Sequence, residues 1–260
     1  MQIHFYKYQG AGNDFVVLDN REGIYDGLST AQIHFLCDRR FGIGADGLMM
    51  LNPHTEGDFE MRYFNADGRE GSMCGNGGRC LVAFARHREL IGTSTRFYAV
   101  DGWHEAHIQD DGWVSLKMQD VGEVERSGDD FVLDTGSPHY VRFVPDVDAV
   151  DVWRSGRDIR YNERFSGEGI NVNFVQRTDG GLKIRTYERG VEAETLACGT
   201  GVTAAAIAAA GDQPGSHAVA VNARGGRLEV RYRQTDEQHF TDVWLCGPAA
   251  YVFEGNIPVE

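Results

Sequence analysis

A stretch that occurs twice constrains this chain more than any other feature. Tyr63-Phe64-Asn65-Ala66-Asp67-Gly68 leads to Cys74-Gly75-Asn76-Gly77, and Tyr187-Glu188-Arg189-Gly190 leads to Cys198-Gly199-Thr200-Gly201. Each Cys stands eleven residues after its Tyr, and each Cys-Gly-x-Gly opens a run that can be helical. A duplicated motif in 260 residues predicts two halves of similar build. Each half then delivers a thiol at a helix start.

Between these motifs the chain alternates strands, turns and a few helices. Residues 3–8, 16–18, 58–64, 95–100, 104–108 and 113–118 read as strands of the first half. Ser29 is placed to cap a helix over 30–38 whose Ile33, Leu36 and Cys37 share a face. Gly75 opens a second helix carrying Leu81, Val82, Phe84 and Ala85, with Cys80 as a core thiol. Apolar density falls over 119–130, which reads as a weak boundary, and strands resume at 131–134 and 140–144. Residues 145–160 are polar with one possible short helix. Asn171 and Asn173 fall on one face of a strand over 169–175, where buried amides need partners; either that face is wet or it serves a ligand. The alanine-rich run 202–210 reads as a slim buried helix stopped by Asp212 to Gly215. Strands follow near 219–221, 226–232 and 243–245, and Val252-Phe253-Glu254 reads as a last strand whose partner the sequence does not name.

Composition excludes some classes. The formal charge of −14 opposes nonspecific binding to a phosphate backbone, so no nucleic-acid partner is expected. No apolar span suggests a membrane helix, and no N-terminal leader pattern is read. Five cysteines, an odd and sparse set, suit a reducing cytoplasm better than a disulfide scaffold. Glycine is abundant, 33 residues, against a usual share of roughly 7%, and it gathers at turns and beside polar residues.

A Cys at a helix N-terminus meets orphan N–H groups and the positive end of the helix dipole, which favour thiolate. The following Gly-x-Gly is expected to keep side chains away from those N–H groups, leaving them to grip a carboxylate or an enolate-like oxygen. Two such thiols on opposite faces of one carbon can invert it, one removing the α-proton and the other returning one. No metal site is expected, because no Cys-x-x-Cys or close His partner accompanies either thiol. The bland alternatives are two core thiols or a regulatory disulfide, plain turn chemistry for Asn13-Asp14, and a purely structural hydrogen bond for His139 after its turn-forming Pro.

The chain resembles the diaminopimelate epimerase family. The resemblance rests on Gly12-Asn13-Asp14-Phe15, Gly42-Ile43-Gly44-Ala45-Asp46-Gly47-Leu48, Asn65-Ala66-Asp67-Gly68 with Cys74 to Cys80, Thr135-Gly136-Ser137-Pro138-His139, Asn171-Val172-Asn173-Phe174, and Glu188-Arg189-Gly190 with Glu194 to Gly201. It implies an α/β (α+β-like) fold of two pseudo-symmetric domains, 1–119 plus 249–260 and 120–248. Each is a mixed, mostly antiparallel sheet wrapped around a central helix, with the active site in the interdomain cleft. It further implies a cytoplasmic, PLP-independent homodimer without cofactor, interconverting LL- and meso-diaminopimelate in lysine and peptidoglycan precursor synthesis. Cys74 and Cys198 become the acid/base pair. Gly75, Asn76, Gly199 and Thr200 become helix-start donors to the carboxylate of the reacting centre. Asn13, Asn65, Asn171, Glu188 and Arg189 become holders of the substrate's amino and carboxyl groups, and His139 a supporting residue beside the reacting carbon. Ser137 stands where many members carry Asn, Gly47 where some carry Gln, and Gly190-Val191-Glu192-Ala193-Glu194 is one residue longer than the common form. The rivals are a two-cysteine proline or hydroxyproline racemase and a non-enzymatic redox-sensing thiol pair.

Overall fold

The computed structural model describes residues 1–211 and 213–260; the stop expected at Asp212 therefore lies outside the described residues. The chain forms two compact units, Met1–Leu116 with Gly247–Glu260, and Lys117–Cys246.

The first unit carries β1 (Gln2–Gly10), β2 (Asn13–Asp19), α1 (Thr30–Cys37), β3 (Gly47–Asn52), β4 (Glu60–Asn65), α2 (Gly75–His87), β5 (Ser94–Ala99), β6 (Gly102–Ile108) and β7 (Trp113–Lys117). The second carries β8 (Val124–Ser127), β9 (Asp130–Asp134), β10 (Pro138–Phe143), α3 (Val152–Arg160), β11 (Asn171–Thr178), β12 (Gly181–Glu188), β13 (Ala193–Thr195), α4 (Gly199–Ala208), β14 (Gly215–Ala223), β15 (Gly226–Gln234) and β16 (Phe240–Pro248). The chain then returns to the first unit as β17 (Ala250–Pro258).

The two sheets repeat one pairing scheme. In the first unit the order is β17–β1–β2–β3–β4–β5–β6–β7, with β2/β3 and β4/β5 parallel and the other neighbours antiparallel. In the second it is β8–β9–β10–β11–β12–β14–β15–β16, with β10/β11 and β12/β14 parallel and the rest antiparallel. Each parallel step needs a crossover, and a helix supplies it: α1 and α2 in one unit, α3 and α4 in the other. The expected mixed, mostly antiparallel architecture with a central helix is what forms. Helix α2 packs against β1, β2, β3, β4, β6 and β17, and α4 against β9, β10, β11, β12, β14 and β15.

Local chemistry explains the helices. Ser29 and Gln32 form a reciprocal capping box on α1, and Asp151 caps α3 through the Arg154 N–H. Residues 76–85 of α2 and 201–208 of α4 are all buried; alanines over 204–206 let the sheet close tightly on α4. Helix α4 starts at Gly199, directly after Cys198 as the repeated motif predicts, and the alanine-rich run forms its body.

Four other features differ from the sequence reading or complete it. The low-apolar stretch near 119–130 contains β8, a largely exposed strand hairpinned to β9. Residues 193–195 form β13, a short strand on β12. The last strand finds its partner in β1, paired from Gln2↔Pro258 to Gln9↔Ala250. Gly68, in the first motif, takes φ +83°, and a Cβ there would lie 2.1 Å from the Thr30 carbonyl oxygen, so the turn after β4 requires glycine.

Gly156 lets α3 lie close against β12: a Cβ there would come 2.4 Å from that of Tyr187. Gly156→Ala is expected to lift α3 from β12 and destabilise the protein by about 1–3 kcal/mol through overpacking, read as a lower urea midpoint.

Candidate active site

In the first unit the helix-start cysteine sits on a network reaching back to the β1–β2 turn. Cys74 is the N-cap of α2 in extended conformation (φ −113°, ψ 117°), and its side chain does not cap the helix. The Cys74 Sγ lies 3.8 Å from Asn13 Oδ1. The orientation of Asn13 is decided by Asp46, whose carboxylate can only accept and which stands 2.7 Å from Asn13 Nδ2. The Asn13 carbonyl oxygen is thereby turned to the thiol and to Asn76 Nδ2, 3.3 Å away. Asn76 is buried, and its own carbonyl oxygen accepts from Arg79 at 2.9 Å. Its side chain is thus part of the support under the helix start. Asn65 ends β4 and is exposed.

An ion cluster holds the turn that carries Asn13. Arg39 bonds Asp14 at 2.6 Å and Asp46 at 2.7 Å, and Lys7 bonds Asp14 and the Gly44 carbonyl. Burial pushes the Asp14 carboxyl up, but the Arg39 guanidinium and the Lys7 ammonium outweigh it and bring it down to about 2. The same burial in apolar surroundings pushes Cys37 and Cys80 up to about 12, in keeping with core thiols.

The second unit repeats the helix start with different supports. Cys198 is the N-cap of α4 (φ −108°, ψ 114°), and its Sγ lies 3.4 Å from Thr200 Oγ1. Thr135 Oγ1 donates to the Thr200 carbonyl at 2.8 Å, and Thr203 Oγ1 to that of Gly199 at 3.1 Å. Beside them β10, β11 and the end of β12 gather His139, Asn171, Glu188 and Arg189. Asn171 Nδ2 donates to Ser137 Oγ (2.9 Å) and the Pro138 carbonyl (3.1 Å), and its Oδ1 accepts from the Arg189 backbone N–H (2.9 Å). Arg189 also reaches Ser137 Oγ at 3.3 Å. Glu188 accepts from Thr195 Oγ1 at 2.8 Å. In the loop after β12, Glu192 takes a positive φ of 56° and accepts from Tyr187 and the Gly190 N–H, while Glu194 of β13 forks onto Arg185 at 2.7 and 2.8 Å.

Neither asparagine of β11 is wet. Asn171 is 4% and Asn173 0% exposed, and Asn173 is spent on Tyr140, His139 and Thr186. The Gly-x-Gly motifs also do more than clear space around N–H groups. A Cβ on Gly77 would lie 2.9 Å from Met49 Sδ, and one on Gly201 2.5 Å from Asn173 Oδ1. These glycines let the helix start sink onto the sheet.

The diaminopimelate epimerase family profile matches residues 5–124 and again 131–252, one match per half. The chain is 49% identical to the diaminopimelate epimerase of Flavobacterium psychrophilum, over 98% of this chain and 100% of that one. It is 42% identical to that of Chlorobaculum tepidum, over 95% and 98%. The chain belongs to the diaminopimelate epimerase family. Solved structures show its fold more widely. A Bacillus anthracis phenazine biosynthesis protein of the PhzF family aligns with a TM-score of 0.75 at 16% identity, covering both chains fully. A probable proline racemase from Agrobacterium radiobacter aligns with a TM-score of 0.67 at 14% identity, covering 99% of this chain and 93% of that one.

Within this family member, sequence reasoning assigned no role to Asp46, Arg79, Thr135 and Thr186. Arg79 carried the clearest signal, a cation inside an otherwise buried helical run. Asp46 and Thr135 lay within quoted motifs, but nothing in sequence spacing pairs them with Asn13 or Thr200.

His139 is fully buried, and burial first, then the nearby Arg189 cation, bring its imidazole down to about 3. Unfolded, it would titrate near 6.5. Between these values the unfolded chain binds the extra proton, so the contribution is complete above pH 6.5 and is lost as pH falls. Relative to His139→Gln, the wild type is expected to lose about 1.4 kcal/mol per pH unit over that window, measured as urea midpoints at pH 7, 6 and 5.

Proposed function

We propose that the chain epimerises diaminopimelate at one α-carbon, with Cys74 and Cys198 as the proton-handling pair. The observation that carries this reading is the repeated thiol: in a diaminopimelate epimerase family member, the helix that each unit's sheet wraps has a cysteine at its N-cap position, with a side chain that makes no capping hydrogen bond. One cysteine, as thiolate, takes the α-proton. The electron pair left on carbon delocalises into the adjacent carboxylate, and the other cysteine, as thiol, delivers a proton to the opposite face. The configuration inverts, and the two cysteines exchange protonation states.

The hard part is the weak acidity of the α-proton. First-turn N–H groups of a helix have no intrahelical partner, and they lower the barrier when aimed at oxygens that gain charge. In this reading Gly75, Asn76, Gly199 and Thr200 supply such donors to the carboxylate of the reacting centre. Arg189 pairs with a carboxylate as a fork and Glu188 with an ammonium, while Asn13, Asn65 and Asn171 complete the hold on the two amino acid heads. The hydrogen bonds that Ser137 makes to Asn171 and Arg189 support a role for it in positioning these two side chains. The reaction as written needs no cofactor. A cytoplasmic homodimer acting in lysine and peptidoglycan precursor synthesis fits the family. Among the described residues no helix is long and apolar enough to cross a membrane.

Cys74→Ala and Cys198→Ala are each expected to lower epimerisation by at least about 10²–10⁴-fold, the usual worth of a positioned acid or base. The readout is inversion of LL-diaminopimelate in deuterated water with isotope incorporation at the α-carbon. L-Proline serves as the competing substrate; inversion of proline alone, or single cysteine variants with wild-type turnover, would overturn the proposal.

A further inference from the structure

One buried amide bears on how His139 serves the proposed site. Asn173 is enclosed between β10, β12 and the first turn of α4. Its Nδ2 lies 3.0 Å from the Tyr140 backbone carbonyl. A carbonyl only accepts, so that atom must be the amino nitrogen and the amide cannot be flipped. Thr186 Oγ1, 2.9 Å from Asn173 Oδ1, agrees by donating to the other end. The second hydrogen of the same amino group faces His139 Nδ1 at 3.1 Å. An amino group only donates, so Nδ1 must accept, and the proton of the neutral ring is on Nε2.

We infer that Asn173 is a positioning residue that fixes His139 as the Nε2–H tautomer, making the ring a hydrogen-bond donor and not a proton-abstracting base. This role rests on the proposed placement of His139 beside the reacting centre. His139 Nε2 is buried and has no hydrogen-bond partner among the described residues. An unpaired buried donor is costly and uncommon enough to call for a role. Here the role is donation to an acceptor that gains charge in the reaction, an enolate-like oxygen or a thiolate. Protonating the ring would set a second N–H against the Asn173 amino group and a cation near Arg189; burial opposes it too, in keeping with an imidazole held down at about 3. The arrangement is tied to the cysteine motif through Gly201, whose missing Cβ leaves room for Asn173 Oδ1.

The test is long-range proton–nitrogen correlation on protein labelled with ¹⁵N-histidine, with His139 assigned by its absence in His139→Gln. At neutral pH the wild type is expected to show a protonated Nε2 and an unprotonated Nδ1. In Asn173→Asp the carboxylate accepts instead, so the proton moves to Nδ1 and kcat falls about 10²-fold, the worth of one preorganised donor, with a smaller effect on KM. His139→Gln, which keeps an N–H near the Nε2 position, retains kcat within about tenfold, whereas His139→Asn loses about 10²-fold. A wild-type Nδ1–H tautomer, an Asn173→Asp enzyme unchanged in tautomer and kcat, or equal losses in His139→Gln and His139→Asn would overturn the inference. The wild-type spectrum decides the tautomer even where Asn173→Asp fails to fold. It is read without turnover, so its outcome is separate from that of the cysteine variants.

Discussion

Each unit depends on enclosing one helix on all sides. Residues 76–85 of α2 and 201–208 of α4 have no solvent-facing side, and a helix of that kind is stable only inside a sheet that curls around it. The sheet in turn folds its inner face onto this helix. This mutual requirement places the chemistry: with the body of the helix sealed, its start is where backbone polar groups must be dealt with. The first-turn donors and the thiol therefore share a location for structural reasons before any catalytic ones.

The two units solve the polar problem at that start with unlike parts. Around Cys74 the support is an amide–carboxylate–guanidinium network, in which Asp46 turns Asn13 and Arg79 braces Asn76. Around Cys198 it is hydroxyls and small residues, Thr200, Thr135 and Thr203. The Asn13 carbonyl oxygen can only accept, so its contact suits a thiol that donates, whereas the Thr200 hydroxyl can serve thiol or thiolate. A repeated motif thus supplies the same backbone geometry twice, while the surrounding side chains differ.

Much of this was legible from sequence where the signal is local. The paired Cys-Gly-x-Gly motifs marked both helix starts, Ser29 marked the first helix cap, and alternating apolar residues marked most strands. The failures have physical causes. Strand β8 is held by backbone pairing to β9 and is mostly exposed, so Val124-Glu125-Arg126-Ser127 carries no apolar alternation. The partner of β17 lies at the far end of the chain, a separation that periodicity cannot report. Asn171 and Asn173 looked alike on one strand face, yet the hydrogen bonds of Asn173 go to Tyr140, His139 and Thr186, and only the folded register of β10 and β12 reveals that.

The return of β17 to β1 sets an order of events during synthesis. The second unit is one continuous segment, Lys117–Cys246, while the first lacks the strand on its β1 edge until Ala250–Pro258 has been made. On a ribosome, where folding usually begins with whatever has emerged first, this chain must hold its N-terminal sheet with that edge open while the later unit is made. A nascent chain arrested before residue 250 is expected to expose the pairing edge of β1, a place for another strand to add. Residues 250–258 are thus a closing strand, and the N-terminal unit is complete only once they have been made.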